Sequence, residues 1–238
     1  MRIAISQPTF LSWQGYFALI DYVDLFVFFD NVQFVKRSWI QRNKIKSKNK
    51  ELFLTIPVKT KGKRFQKIEE VEINYDHFNC DKLIKTLAEN YKHAKYFEKY
   101  FYEIESILKK NNKYLLDLNI SLIKKICRLL RISTKFQNSS KIEGSDKLKN
   151  VDLIEHISQK LSASEYISTI GSKDYMGDVN KLPNISTKVF FFEYLQLPYK
   201  QLNDNFLPYL SIIDLLLNEG DKFLEILRKN FKIIKKYD

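Results

Sequence analysis

Two apolar runs near the start of the chain constrain its fold more than any other feature. Residues 3–5 (Ile3, Ala4, Ile5) form a β-type run that breaks at Gln7 and Pro8. Residues 25–29, all apolar, form a second run that ends at Asp30. Between them a short amphipathic segment passes through Trp13, Gly15 and Tyr16, so the chain opens as a β-α-β unit. Directly after the second run come Gln33, Lys36, Arg37, Trp39, Arg42 and Asn43. Crevices in α/β sheets lie at the carboxyl ends of strands. Two such ends loaded with polar, planar and cationic side chains therefore read as the lip of a ligand pocket.

Further strands are expected at residues 51–58, 67–73, 132–136, 165–170 and 189–192. Lys61, Gly62 and Lys63 act as a hairpin turn or connector. From residue 78 the apolar period turns helical. Leu83, Leu87 and Tyr91 recur at that spacing, then Tyr100, Ile104, Ile107 and Leu108, then Leu118, Leu122, Ile126 and Leu129. A helix over 146–161 follows, with Ser145 as its N-cap. Pro208 opens another that ends near Gly220, and the lysine-rich tail reads as a last amphipathic helix. The expected architecture is a single α/β domain over 1–238, a Rossmann-like sheet with a helical insertion at 78–131 and C-terminal helices.

Composition bears mainly on charge. The net charge is +12, and twelve Lys or Arg lie between Lys36 and Lys67 against one acid, Glu51. The other 28 basic residues face 27 acidic ones, so the excess is local. A segment of this kind attracts a polyanion such as a nucleotide diphosphate, tRNA or an acidic membrane surface. It equally describes solvated lysine-rich loops. No apolar run approaches the roughly 18 residues of a membrane span, and Gln7, Trp13, Gln14 and Asp21 interrupt any signal-like start. Cys80 and Cys127 match no metal or redox spacing, so a reduced, cytoplasmic protein is expected, with no metal and no cofactor.

Individual residues suit sugar and phosphate recognition. Gly15 allows close backbone approach, and Trp13 and Tyr16 offer flat faces to a base or sugar, although both could simply be core aromatics. Asp30 ends an apolar strand, where a carboxylate must be paired or face a crevice. It is the candidate base, and Tyr16 is placed with it in the catalytic set. Lys36, Arg37, Arg42 and Asn43 around Trp39 suit phosphate and sugar, or form a solvated basic loop. His77, His93 and His156 have no partner at useful spacing. Gly171 with Tyr175, and Gln201 after Tyr199, could complete the crevice.

The string from Gln7 and Pro8 through Trp13, Gly15 and Tyr16, then Asp30, Gln33, Lys36, Arg37, Trp39, Arg42 and Asn43, resembles the signature of the WbqC-like family. Residues 166–175, including Gly171 and Tyr175, resemble its second motif. Residues 199–215, with Gln201, Pro208 and Asp214, resemble its third. Leucine and serine precede Trp13 where the family usually has proline. The resemblance implies a bacterial protein of surface-polysaccharide gene clusters, acting in O-antigen (lipopolysaccharide) biosynthesis and transferring an amino acid such as glycine to an amino sugar. The opening also looks like that of nucleotidylyltransferase-type folds. The histidines of their His-x-Gly-His motif are replaced here by Trp13 and Tyr16, so adenylyl chemistry is not carried over.

The leading expectation is thus an N-acyltransferase (an aminoacyl transferase) joining an activated acyl donor, one candidate being aminoacyl-tRNA, to a nucleotide-linked amino sugar. In it Asp30 orients or deprotonates the amine, Gln7, Tyr16 and Gln33 orient the sugar, Lys36, Arg42 and Asn43 bind diphosphate or the donor's phosphate, and Pro8 belongs to the substrate site. The competing readings are a basic nucleic-acid or membrane-surface binding protein and a nucleotidyltransferase-like enzyme.

Overall fold

The computed structural model describes residues 1–172, 187–203 and 205–235. Its centre is a six-stranded sheet. The strands are β1 (Arg2–Ser6), β2 (Leu25–Phe28), β5 (Lys135–Asn138), β6 (Glu165–Thr169), β7 (Lys188–Tyr194) and β8 (Phe231–Lys235), with β3 (Arg42–Ser47) and β4 (Lys50–Thr55) forming a separate hairpin. Their order across the sheet is β5-β2-β1-β6-β7-β8, all parallel except β8. This is the 3-2-1-4-5-6 order of a Rossmann-like α/β fold, in which the chain reverses direction across the sheet beside its first strand. The reversal falls between β1 and β6.

Strand side chains alternate between two faces, and the alternation divides the core. Ile3, Ile5, Val27, Phe29, Tyr166 and Val189 pack with Leu153, Ile154 and Ile157 of α5 (Asn150–Lys160). Ala4, Phe26, Phe28, Ile167, Phe192 and Tyr194 face a larger cluster on the other side. That cluster takes in α1 (Gln14–Tyr22), α2 (Cys80–Tyr91), α3 (Phe97–Leu108), α4 (Leu115–Leu129), α6 (Ile212–Glu219) and α7 (Phe223–Lys229). Burying each of the three α5 aliphatics contributes about 1.5–3 kcal/mol. No helix among the described residues is long and apolar enough to cross a membrane.

Four local expectations are corrected. The segment 67–73 is not a strand. Lys67 N donates to Glu70 Oε2, closing a short 3-10 turn at Ile68–Glu70, and the backbone around it ties to residues 30–34 instead. Ser145 does not cap α5. Its hydroxyl donates to Ser139 O, and the helix starts five residues later with Lys149 as cap. Pro208 does not open α6, which is capped by the Ser211 hydroxyl accepting from Ile213 N. The tail is a short helix followed by β8, which pairs antiparallel with β7 and stacks Phe231 on Phe192 at 4.8 Å.

Candidate active site at the strand reversal

The loops leaving β1 and β6 flank the point where the strand order reverses. Ser6 leads into Gln7 and Pro8, and Thr169 leads into Ile170 and Gly171. Three side chains hold the first loop from behind. Asn43 Nδ2 donates to Phe10 O and Leu11 O, both at 3.0 Å. Asn119 Nδ2 donates to Pro8 O at 2.9 Å and Ile40 O at 2.8 Å. The Tyr16 hydroxyl donates to Gln7 O at 3.1 Å. The loop's backbone is thus fixed from inside, while the half-buried Gln7 amide makes no hydrogen bond among the described residues. On the opposite side Gly171 is exposed, and a Cβ there would meet nothing within 4 Å.

Trp13 precedes α1 and lies over Gly15. A Cβ on Gly15 would stand 2.3 Å from the indole, so only glycine lets the ring lie there. The ring meets Tyr194 edge-on at 5.5 Å and the half-exposed Tyr209 at 5.7 Å. Tyr209 carries φ +55°, a left-handed conformation costly for a bulky residue. Next to Trp13 in the chain, Gln14 accepts from the Tyr194 hydroxyl and from Gln196 Nε2, and its own buried Nε2 has no hydrogen-bond partner among the described residues.

Asp30 is fully buried at the end of β2, one strand from Gln7. Its Oδ1 accepts from Ser140 N at 2.8 Å and Ser139 Oγ at 2.9 Å. Its Oδ2 accepts from Ser140 Oγ at 2.8 Å and Asn138 Nδ2 at 2.5 Å. Such a saturated carboxylate is held as an acceptor rather than offered to solvent, and it fixes the turn after β5 against β2. Any exchange with a ligand would pass through Ser140, which is partly exposed.

The other expected residues separate from this group. Tyr16 is a core residue whose hydroxyl pKa burial pushes well above its usual range, so it serves as a strut for Gln7. Asn43, likewise buried, is a strut rather than a phosphate ligand. Gln33 is exposed and donates to Arg64 O. Arg42 lies on Phe53, with its guanidinium carbon 4.9 Å from the ring centroid, and Trp39 stacks on the same ring at 6.1 Å. Lys36 and Arg37 are exposed beside them. Tyr175 lies outside the described residues. Among the described residues no cluster of three His, Cys, Asp or Glu could hold a metal ion.

Gln201 belongs to a second buried network. Asp214 accepts from the Tyr199 hydroxyl at 2.6 Å and the Tyr91 hydroxyl at 2.8 Å. Gln201 Nε2 donates to the Tyr199 hydroxyl, and its Oε1 accepts from Lys46 Nζ at 3.2 Å. Lys46 Nζ also donates to Asn203 O and Asn205 O. Burial raises the Asp214 carboxyl pKa, against the opposing tyrosine hydrogen bonds and the Lys46 charge. This network ties the β3–β4 hairpin to the loop that carries Tyr209 toward Trp13. A cleft of about 440 Å³ lies apart from both groups, lined by Lys59, Glu72, Tyr75 and Lys113. There Lys59 holds the Glu72 carboxylate below its usual pKa by a hydrogen bond.

The model of the WbqC-like protein family matches residues 7–226. The chain belongs to this family. The uncharacterized protein Rv1507c of Mycobacterium tuberculosis is 34% identical over 229 residues, covering 95% of this chain and 97% of that protein. No solved structure matches. In this WbqC-like chain, Lys46, Tyr91 and Gln14 had no place among the candidate site residues read from the sequence. Lys46 and Tyr91 sit in strings of ordinary polar and helical residues, and their meeting is long-range. Gln14 had a local signal, since it stands at the first position of α1 between Trp13 and Gly15.

Proposed function

We propose that the chain is an N-acyltransferase that joins an aminoacyl group to the amine of a nucleotide-linked amino sugar bound at the β1–β6 reversal. The observation that carries the reading is that two loops leave the sheet at the β1–β6 reversal, one bearing Gln7, whose amide makes no hydrogen bond among the described residues, the other opening at the exposed Gly171, on the strand order that places nucleotides at this point. The Gln14 donor, which has no partner among the described residues, and the Trp13–Tyr209 aromatic wall beside the start of α1 support it. Family membership supports a role in surface-polysaccharide, O-antigen-type biosynthesis. A nucleotide-linked acceptor fits a cytoplasmic reaction.

In this reading the neutral amine attacks the donor's activated carbonyl, the C–N bond forms and the donor's carbonyl–heteroatom bond breaks. The amine proton passes to Ser140 Oγ as that hydroxyl hands its own proton to Asp30 Oδ2, 2.8 Å away. Asp30 thus serves through Ser140 rather than as a base in direct contact. Gln7 meets the sugar hydroxyls, and Trp13 supplies a face for the base or sugar.

The test is a mass-spectrometric screen of uridine- and deoxythymidine-diphosphate amino sugars with glycine donors activated as tRNA ester, thioester or adenylate. A product heavier by one aminoacyl residue is expected from one combination. Asp30→Asn and Ser140→Ala should lower kcat by about 10²–10⁴-fold, the usual contribution of a general base, with the acceptor's KM little changed. No acylated product with any donor overturns the reading, and full turnover in both variants overturns the relay.

A further inference from the structure

The basic segment carries a second organised feature, separate from the β1–β6 loops. Trp39 is 48% and Phe53 44% exposed, yet their rings lie within 22° of parallel. The β3–β4 register sets Arg42 diagonal to Phe53 on one outward face, which brings the guanidinium onto the ring. An exposed aromatic pair held in register with a guanidinium is a contiguous patch, and contiguous exposed patches mark interaction sites where isolated exposed apolar residues do not. A second exposed ring lies close in the chain's path. Phe34 N donates to Gln66 O, Gln33 Nε2 donates to Arg64 O and Gln33 bridges Lys67, so the segment before Trp39 is tied to the one bearing Phe65, itself 75% exposed and topped by Arg64 at 5.5 Å. The turn from Val35 to Trp39 is tight: Ser38 Oγ donates to Val35 O, and Arg37 N donates to Gln41 Oε1 with φ +58° at Arg37.

Charge selects the partner. The one acid among residues 36–67, Glu51, is already taken by Lys44 at 2.6 Å. Lys36, Arg37, Lys61 and Arg64 are exposed and make no ion pair among the described residues. One stacked pair of flat rings and a further exposed ring, with a guanidinium on Phe53 and another on Phe65, amid cations that make no ion pair among the described residues, match what an unpaired polynucleotide needs: faces for bases and charges for its phosphates. A lipid surface would favour apolar side chains projecting from an amphipathic helix. Here Trp39 lies stacked on Phe53 of the β3–β4 hairpin.

We infer that the surface formed by Trp39, Phe53 and Arg42, together with Phe65 and Arg64 on the segment tied to it, is a docking site for a single-stranded nucleic acid. The inference is independent of the acyl-transfer reading, because binding is measured with neither sugar nor donor present. The measurement is fluorescence anisotropy of the full chain with a labelled single-stranded uridine oligomer, repeated with its DNA counterpart, a duplex, and competing vesicles of phosphatidylglycerol. The single strand should bind more tightly than the duplex. Affinity should fall with rising salt, with a log–log slope of about −0.7 per neutralised phosphate. Trp39→Ala with Phe53→Ala should weaken binding about tenfold or more, as expected for lost base stacking, while Trp39→Phe restores much of it. Arg64→Ser with Arg37→Ser should flatten the salt slope. Equal binding of RNA and DNA, or preference for RNA, both support the site. A tighter duplex, unchanged binding in the folded Trp39→Ala/Phe53→Ala chain, or binding to the vesicles alone overturns it.

Discussion

Gly15→Ala is expected to destabilise the protein, although replacing glycine by alanine inside a helix ordinarily stabilises by up to about 1 kcal/mol. The reversal of sign follows from one contact. The new Cβ would sit 2.3 Å from Trp13 Cη2 and 2.4 Å from Cζ2, distances no packed methyl group tolerates. Either the indole leaves, giving up its contacts with Tyr194 and Tyr209, or the first turn of α1 shifts away from the sheet. Overpacking of this kind costs about 1–3 kcal/mol, and a lost edge-to-face pair adds roughly 0.5–1.5 kcal/mol. For a chain of this length that is a fall in Tm of roughly 5–15 °C, read by calorimetry. Gly171→Ala is the internal comparison: its Cβ meets nothing within 4 Å, so Tm should hold. An unchanged or raised Tm for Gly15→Ala would mean that the indole does not lie where it is described.

The second large effect lies in the Lys46–Gln201–Tyr199–Asp214–Tyr91 network. Asp214→Ala strips the acceptor from two buried tyrosine hydroxyls and takes the nearby negative charge from Lys46, which is 2% exposed. Leaving a buried hydrogen-bonding group unsatisfied costs about 1–3 kcal/mol, and here two hydroxyls lose their acceptor. Chemical denaturation should report it, and a double-mutant cycle with Lys46→Met should show strong coupling. The pH dependence has a definite sign. Burial raises the Asp214 carboxyl pKa in the folded chain, so folding favours its protonated form. That contribution is complete below the unfolded value of about 3.9 and is lost as pH rises through the folded value. Asp214→Asn should remove this part of the slope and keep most of the packing. A slope of the same size in Asp214→Asn would assign it to other groups.

Much of the sheet was legible because its strands are short apolar runs bounded by polar breaks. Leu25 to Phe28 needs no partner in sequence to be recognised. The strand at Arg42–Ser47 was not legible: its outward positions, Arg42 and Lys44, give it the look of a solvated basic loop. Only the alternation of Asn43 and Ile45 inward marked it. The tail was misread for a related reason, since Phe231 and Ile233 suit either period over so few residues. At the site, Gln7, Pro8, Trp13, Gly15 and Tyr16 come together along one stretch running from the loop after β1 into the first turn of α1, and Asp30 joins through the β1–β2 pairing. Sequence adjacency could not tell struts from ligand-facing groups. Tyr16 and Asn43 carry the right chemistry but point it at backbone carbonyls. Nor could it show that the cations after Asp30 share a surface with Phe53.

The margins of the central sheet carry a consequence for handling the protein. Its outer strands are β5, four residues long and opening on Lys135, and β8, which bears Lys232 and Lys235. Brief borders studded with ammonium groups repel the backbone of an incoming chain. Concentrated preparations should therefore resist edge-to-edge fibre growth, and neutralising these lysines would be the quickest way to lose that resistance.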